Sequence, residues 1–338
     1  MSRIHVSIVL LALVGLSFCA GRAWGQSDHA ARLIEGAKKE GKLVWYTSMS
    51  VSDAKLMVDS FTKKFPFAKV ELVRAGGEAA LNRMLSETRA GKWEFDLVAI
   101  SGTGILIRHN LIAPYVSPEA KAYIPEFKDP AGYWTGIFNN YYVVGYNTKL
   151  VSEAAAPRTW RDLLAGKWKN NISLDQEEYP WYAALLAAWG KNNTQSFMRS
   201  LAQQNIQWRK GHTLIAQLIA AGEFPLGIVY AHTIESMKKT GAPIEWINTL
   251  DPIVVSVNGI ALSAKPNNPN LAKLFIDFTL SKEGQELMRS LNRTPSRGDV
   301  EPPSPKMQQS KLQLKAVPQD MGARYKTYVE EFRQLTGQ

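Results

Sequence analysis

Short β-branched runs alternate with amphipathic helical stretches along most of the chain, and that alternation restricts its fold more than any other feature. Parallel neighbouring strands need a crossover of a dozen or more residues, usually a helix, so repeated βα units build parallel sheets covered by helices. Helix Asp28–Lys39 carries Ala31, Ile34 and Ala37 on one face and stops at Gly41, and strand Leu43–Tyr46 follows. A helix capped by Asp53 shows Leu56, Met57 and Phe61 and ends before Pro66. Strand Lys69–Val73, helix Glu78–Arg89 and strand Phe95–Ile100 continue the pattern.

Tyr141–Tyr146 reads as a connecting strand, after which the pattern restarts. Thr159 caps a helix to Leu164, and strand Asn171–Leu174 leads to helix Trp181–Trp189. Strand Ile206–Trp208 leads to a helix capped by Thr213, and strand Pro225–Val229 to a helix ending at Gly241. Strands Ile253–Val257 and Gly259–Ser263 come next, then helices Asn270–Leu280, Ser281–Leu291 and roughly 319–335. A second crossing near Thr249–Ile253 returns the chain to its first half. The expected protein is therefore α/β with two βα lobes joined by two crossover strands. Residues 26–141 and 253–338 make one lobe, and 142–252 the other. Each lobe is expected to have its own sheet; a single continuous sheet running through both halves would overturn the cleft argument and the site assignments built on it.

In open parallel sheets, ligands bind beyond the carboxyl ends of the strands, where helix N-termini offer free N–H groups. Thr47, Ser48 and Ser50 follow the first strand, Arg74, Gly77 and Glu78 the second, and Ser101 and Thr103 the third. In the other lobe the same positions hold Gln176, Tyr179 and Trp181, then His212 and Thr213, then Tyr230 and His232. These are the candidate ligand-binding residues. Arg74 before Ala-Gly-Gly suits a carboxylate or phosphate, because its planar fork meets two oxygens and glycine lets backbone approach. Arg209, Lys210 and His212 would face that anion from the other lobe. The plainer alternatives stay open: a surface ion pair for Arg74, an N-cap for Thr213, and core filling for the aromatics.

Arg3 precedes an apolar run from Val6 to Phe18 and then Ala23-Trp24-Gly25, the pattern of a cleaved signal peptide with the cut after Gly25. The run is shorter than the roughly 20 residues of a spanning helix, so export of a soluble mature chain is expected. The single cysteine, Cys19, leaves with that segment and excludes a disulfide framework or a cysteine-based metal site. Forty Lys and Arg against 30 Asp and Glu favour anionic partners. Their even spread argues against a nucleic-acid arm.

No G-x-S-x-G, H-E-x-x-H or P-loop is present, and the histidines lack ligand spacing, so no catalysis, metal or cofactor is expected. Glu177-Glu178 could form an acid–base pair only at a separation that adjacent loop residues seldom provide.

Several segments together resemble the extracellular solute-binding proteins of bacterial ABC importers, in the ferric-iron-type branch. They are Gly41-Lys42-Leu43-Val44-Trp45-Tyr46-Thr47-Ser48, Phe95-Asp96-Leu97-Val98, Val144-Gly145-Tyr146-Asn147-Thr148-Lys149, Pro157-Arg158-Thr159-Trp160, Gly222-Glu223-Phe224-Pro225 and Asn270 to Gln285. The resemblance implies a type II periplasmic-binding-protein fold, residence in the periplasm, a membrane permease and ATPase as partners, and a monomer without chemistry on its ligand. It also implies two adjacent tyrosines after the strand that follows Gly222-Glu223-Phe224-Pro225 if iron is bound. Here that place reads Tyr230-Ala231-His232-Thr233. The expectation is capture of a small anionic organic solute such as a phosphonate, sugar phosphate or carboxylate. The alternatives are a ferric-ion or ferric-chelate binder using Tyr230, Tyr179 and an exogenous anion, and, from another class, an exported enzyme or a sensor-coupled receptor.

Overall fold

The computed structural model describes residues 28–318 and 321–338, so the expected signal peptide lies outside the described residues. Helix α1 (28–40) leads into β1 (Lys42–Thr47), α2 (Val51–Lys64), β2 (Lys69–Arg74), α3 (Gly77–Arg89), β3 (Leu97–Ser101), α4 (Gly104–Arg108) and β4 (Ile112–Ala113). The long strand β5 (Thr135–Asn147) carries the chain to β6 (Ile172–Asp175), α5 (Tyr179–Trp189), α6 (Lys191–Ala202), β7 (Gln207–Arg209), α7 (His212–Ala221), β8 (Leu226–Tyr230), α8 (Ala231–Lys239) and β9 (Ile244–Trp246). Strand β10 (Ile253–Ser263) brings it back to α9 (Pro269–Leu280), α10 (Lys282–Ser290), β11 (Thr294–Pro295), β12 (Leu314–Ala316) and α11 (Met321–Thr336).

The strands are hydrogen-bonded in the order β2-β1-β3-β10-β5-β8-β6-β7, one uninterrupted path. This departs from the expectation of two separate sheets, and the register gives the reason. β5 and β10 pair with each other antiparallel from Thr135–Ile260 to Tyr142–Val254. β3 joins β10 only over Asn258–Leu262, whereas β8 joins β5 only over Tyr142–Tyr146. The two crossover strands thus belong to both βα assemblies, and the ladder continues through them. The expected break at Asn258/Gly259 is a register shift inside one strand, with Ile137 of β5 as the extra residue.

Each assembly has its own packing. Trp45, Met57, Phe61 and Phe275 are buried between β1, α2 and α9, with Phe61 and Phe275 edge-on at 4.9 Å. Trp160, Trp181 and Phe197 are buried together in the second assembly. Gly227 allows β8 to lie against β6, since a Cβ there would come within 2.5 Å of the Ser173 carbonyl oxygen.

Four local expectations are corrected. The N-cap of α2 is Ser50, whose hydroxyl accepts from the Asp53 amide at 3.1 Å, so Asp53 sits inside the first turn. The cap of α7 is Gly211 rather than Thr213; its φ of 98° suits glycine, and its N–H donates to Asp175 Oδ2 at 2.6 Å. Helix α6 had no expected counterpart. Finally, α11 packs on α5 and α6 as well as on α4, with Phe332 against Tyr179, Tyr182 and Trp208.

Candidate functional site

The register of the crossover strands sets the geometry of the site. β3 ends at Ser101 opposite Asn258, and β8 ends at Tyr230 opposite Tyr142, which itself faces Val254. The carboxyl ends of the two assemblies therefore point toward each other across the β10 segment 254–258, about 13 Å at the usual rise per residue. Between them lies a polar floor, with Asn140 facing Ser256 across the ladder and Asn258 beyond. Asn258 Nδ2 donates to Ser48 Oγ at 3.3 Å, and Ser256 Oγ to Ser101 Oγ at 3.5 Å. The side-chain oxygens of Asn140 and Asn258 are buried without a hydrogen-bond partner. Buried polar atoms are nearly always paired, so such atoms mark a place that something else completes.

The second edge is a stack of rings. His212 lies 3.8 Å from the Tyr230 ring centre, and His232 lies 5.6 Å from it on a nearly parallel plane. The hydroxyls of Tyr230 and Tyr142 approach to 3.4 Å. Burial first, then neighbouring phenol and carboxyl charge, pushes the Tyr142 phenol well above its usual value, and burial does the same to Tyr230. Glu178 is 1% exposed, and burial reinforced by Asp175 raises its carboxyl well above the ordinary range. Burial lowers His212 to about 4 and His232 to about 3; Asp175 opposes the shift at His212, while Arg293 and His212 add to it at His232. The 3.6 Å approach of His212 Nδ1 to Glu178 Oε1 is therefore a contact between neutral groups rather than an ion pair. The starts of α3, α5, α7 and α8 have no cap from their own N-cap side chains, so backbone N–H groups there can meet an anion, although at α7 the Asp175 carboxyl already accepts from the Gly211 N–H.

One cation stands at this junction. Arg293 precedes β11, whose Thr294 pairs with Asn139, so Arg293 falls beside Asn140. Its Nη2 and Nε meet Asp53 Oδ2 at 2.8 and 3.0 Å, and Nη1 lies 3.5 Å from His232 Nε2.

Of the residues expected to bind ligand, Ser48, Ser101, His212, Tyr230 and His232 come together around the floor. Arg74 is exposed at the end of β2, and its Nε donates to the Met49 carbonyl at 3.2 Å, which bends it over the loop after β1. Among the described residues it makes no ion pair. Gly77 and Glu78 open α3 beside it. Thr47 is fully buried and donates to the Ala99 carbonyl, Ser50 is spent on capping, and Thr103 is buried with its methyl near Gly259. Gln176 is half-buried with its amide bound to the Arg209 carbonyl, and Thr213 is exposed on α7.

Trp181 and Tyr179 are not at the cleft. Trp181 is 0% exposed against Trp160, and Tyr179 is 4% exposed against Phe332, so both rings are used in core packing. Nor do Arg209 and Lys210 face the other edge. Arg209 pairs with Glu223 at 3.1 Å and Lys210 with Glu177 at 3.3 Å, both inside the second assembly.

Tyr142, Asn140, Asn258, Ser256, Asp53 and Arg293 were missed. The one available signal was polar side chains inside otherwise apolar strands, as in Phe138-Asn139-Asn140-Tyr141 and Val257-Asn258-Gly259. A cavity of about 560 Å³ lies between Tyr146, Arg158, Trp246 and Lys306, at the opposite end of β8 from Tyr230. Its Glu245 is already paired with Lys306 at 3.0 Å and with Lys238 at 2.5 Å.

Comparison with known proteins agrees with this fold. Residues 56–316 match the family model described as bacterial extracellular solute-binding protein. A curated relative, the Fe(3+)-binding periplasmic protein of Serratia marcescens, is 26% identical over 270 residues, 76% of this chain and 79% of its own. Among solved structures, iron-bound HitA from Pseudomonas aeruginosa superposes with a TM-score of 0.76 at 18% identity, covering 87% of this chain and 99% of that one. The periplasmic binding protein AfuA from Actinobacillus pleuropneumoniae, solved with fructose-6-phosphate, gives 0.73 at 24% identity, covering 88% and 99%. Facing βα edges joined by two shared strands are the type II periplasmic-binding-protein fold, and the chain belongs to the bacterial extracellular solute-binding protein family.

Proposed function

We propose that this protein captures a small anionic organic solute between the two carboxyl edges, in the periplasm, and passes it to the permease and ATPase of an ABC importer. The observation that carries this reading is the placement of the uncapped starts of α7 and α8, through His212, Tyr230 and His232, beside a floor of unpartnered amide oxygens. Helix N–H groups and Arg74 suit oxyanion oxygens, and the Asn140 and Asn258 oxygens suit hydroxyl donors on the same molecule. A structure of like fold that holds fructose-6-phosphate supports a ligand of this kind. The lobes in this reading are residues 26–141 with 253–338, and 142–252, with α11 leaning on the second. The protein works as a monomer, its signal peptide is cut near Gly25, and it performs no catalysis. Mass spectrometry of small molecules released from the purified protein tests the reading. A phosphorylated, phosphonate or carboxylate compound is the expected finding, and a neutral solute alone would overturn it.

One observation favours a second reading. Tyr142 and Tyr230 bring together in space a tyrosine pair that the sequence lacks after the strand following Gly222-Glu223-Phe224-Pro225, with the His212 imidazole 5.5 Å from the Tyr142 ring. Phenolates suit a hard trivalent ion. Addition of ferric citrate separates the readings: a visible charge-transfer band that Tyr230→Phe abolishes would establish iron as the cargo.

A further inference from the structure

His232 stands in the first turn of α8, and its two ring nitrogens have different surroundings. Nε2 lies 3.5 Å from Arg293 Nη1 and 3.5 Å from the Thr233 hydroxyl. A guanidinium nitrogen only donates, so a ring nitrogen facing it has to present a lone pair. A neutral imidazole has one N–H, which places the proton on Nδ1. Nδ1 is buried and has no hydrogen-bond partner among the described residues.

The group that sets this arrangement is itself held. Asp53 Oδ2 takes both Nε and Nη2 of Arg293, and the guanidinium lies 5.2 Å above the Phe138 ring. Next to it, Asn292 donates to the His232 carbonyl at 3.1 Å and accepts from Lys239 at 2.7 Å, tying the start of α8 to the same loop. The Tyr230 ring covers one face of the imidazole. Ring and guanidinium are both positioned, yet the N–H that results is aimed at nothing in the protein.

We propose that Arg293, anchored by Asp53, is a positioning residue that fixes His232 as the Nδ1–H tautomer, and that this neutral N–H is a specificity-determining donor for an acceptor oxygen of the solute. An ammonium group, which only donates, is refused at this position. The tautomer assignment stands on the protein alone; the solute clause rests on the anionic reading given above.

Long-range proton–nitrogen correlation spectra of the solute-free mature protein, labelled with nitrogen-15 in histidine, decide the first half. His232 should show a protonated Nδ1 and a bare Nε2, and Arg293→Met should move the proton toward Nε2. A wild-type spectrum with the proton on Nε2 overturns the proposal whether or not the variant folds. Calorimetric titration with fructose-6-phosphate as the probe decides the second half. His232→Leu should weaken binding about tenfold, and His232→Asn, which returns an amide N–H near the Nδ1 position, should restore most of it. Equal affinities in wild type and His232→Leu overturn the donor role. Failure of the probe to bind the wild type counts against the anionic reading, and the spectra still decide the tautomer.

Discussion

Two arginines near the cleft have opposite partners, and that difference decides what each can do. Arg293 is locked to Asp53, whereas Arg74 touches only a backbone carbonyl among the described residues, so Arg74 has its fork free for solute. A hydrogen bond to a charged group is worth roughly 1.5–3 kcal/mol, so Arg74→Ala should weaken binding about ten- to a hundredfold with the fold intact. Titration of both forms with the co-purifying solute checks this, and equal affinities would reduce Arg74 to a surface charge. The buried titratable groups give a pH signature. His212 and His232 take up protons when unfolded near the usual 6.5 but only near 4 and 3 when folded, so their stability contribution is complete above 6.5 and lost as pH falls toward 4. Glu178 has the opposite sign, because its raised carboxyl costs stability as pH rises past the ordinary carboxylate range. Urea unfolding should therefore show stability falling from pH 6.5 to 4, with Glu178→Gln falling more steeply and exceeding wild type at pH 8. Arg74, His212, Tyr230 and His232 were legible as residues after strand ends. Arg293 was not, since only the pairing of β11 with β5, 155 residues apart at Thr294 and Asn139, brings it to the floor.

At the scale of elements, periodicity located most strands and helices to within a few residues, because each buries one face against its own neighbours. It failed where an aromatic could turn either way. Trp181 looked like a cleft residue because it opens a helix after a polar loop, yet its packing against the Trp160 ring, 5.2 Å away, and the Phe197 ring makes it a core side chain. Trp181→Ala should cost about 3–5 kcal/mol in chemical denaturation and leave the solute affinity of the folded protein unchanged; a large loss of affinity at unchanged stability would return Trp181 to the site. The sequence also divided β10 into two strands at Asn258-Gly259. What looked like a break between strands is a bulge within a ladder, and only the partner strand distinguishes the two.

For the whole molecule, the βα order was enough to anticipate two assemblies, but not which of them the last helix would join. Its contact with α5 and α6 depends on Phe332 reaching Tyr182 and Trp208, and on Glu331 accepting from the Tyr182 hydroxyl at 2.9 Å. Ending the chain after Ala316 should speed amide exchange in α5 and α6 while α2 and α9 keep their protection; uniform loss across all four would mean that α11 supports the entire fold. The shared ladder of β5 and β10 has a further consequence, for what kinds of sequence change the protein can tolerate. Side chains on a strand alternate between faces, so removing one residue between Val254 and Asn258 would turn Ser256 or Asn258 away from the floor and shift one carboxyl edge relative to the other. Exchange of floor and edge residues can retune the solute, but the number of residues in that span cannot change by one. Diversification of such a protein is confined to substitution there, and insertions and deletions are left to the loops outside it.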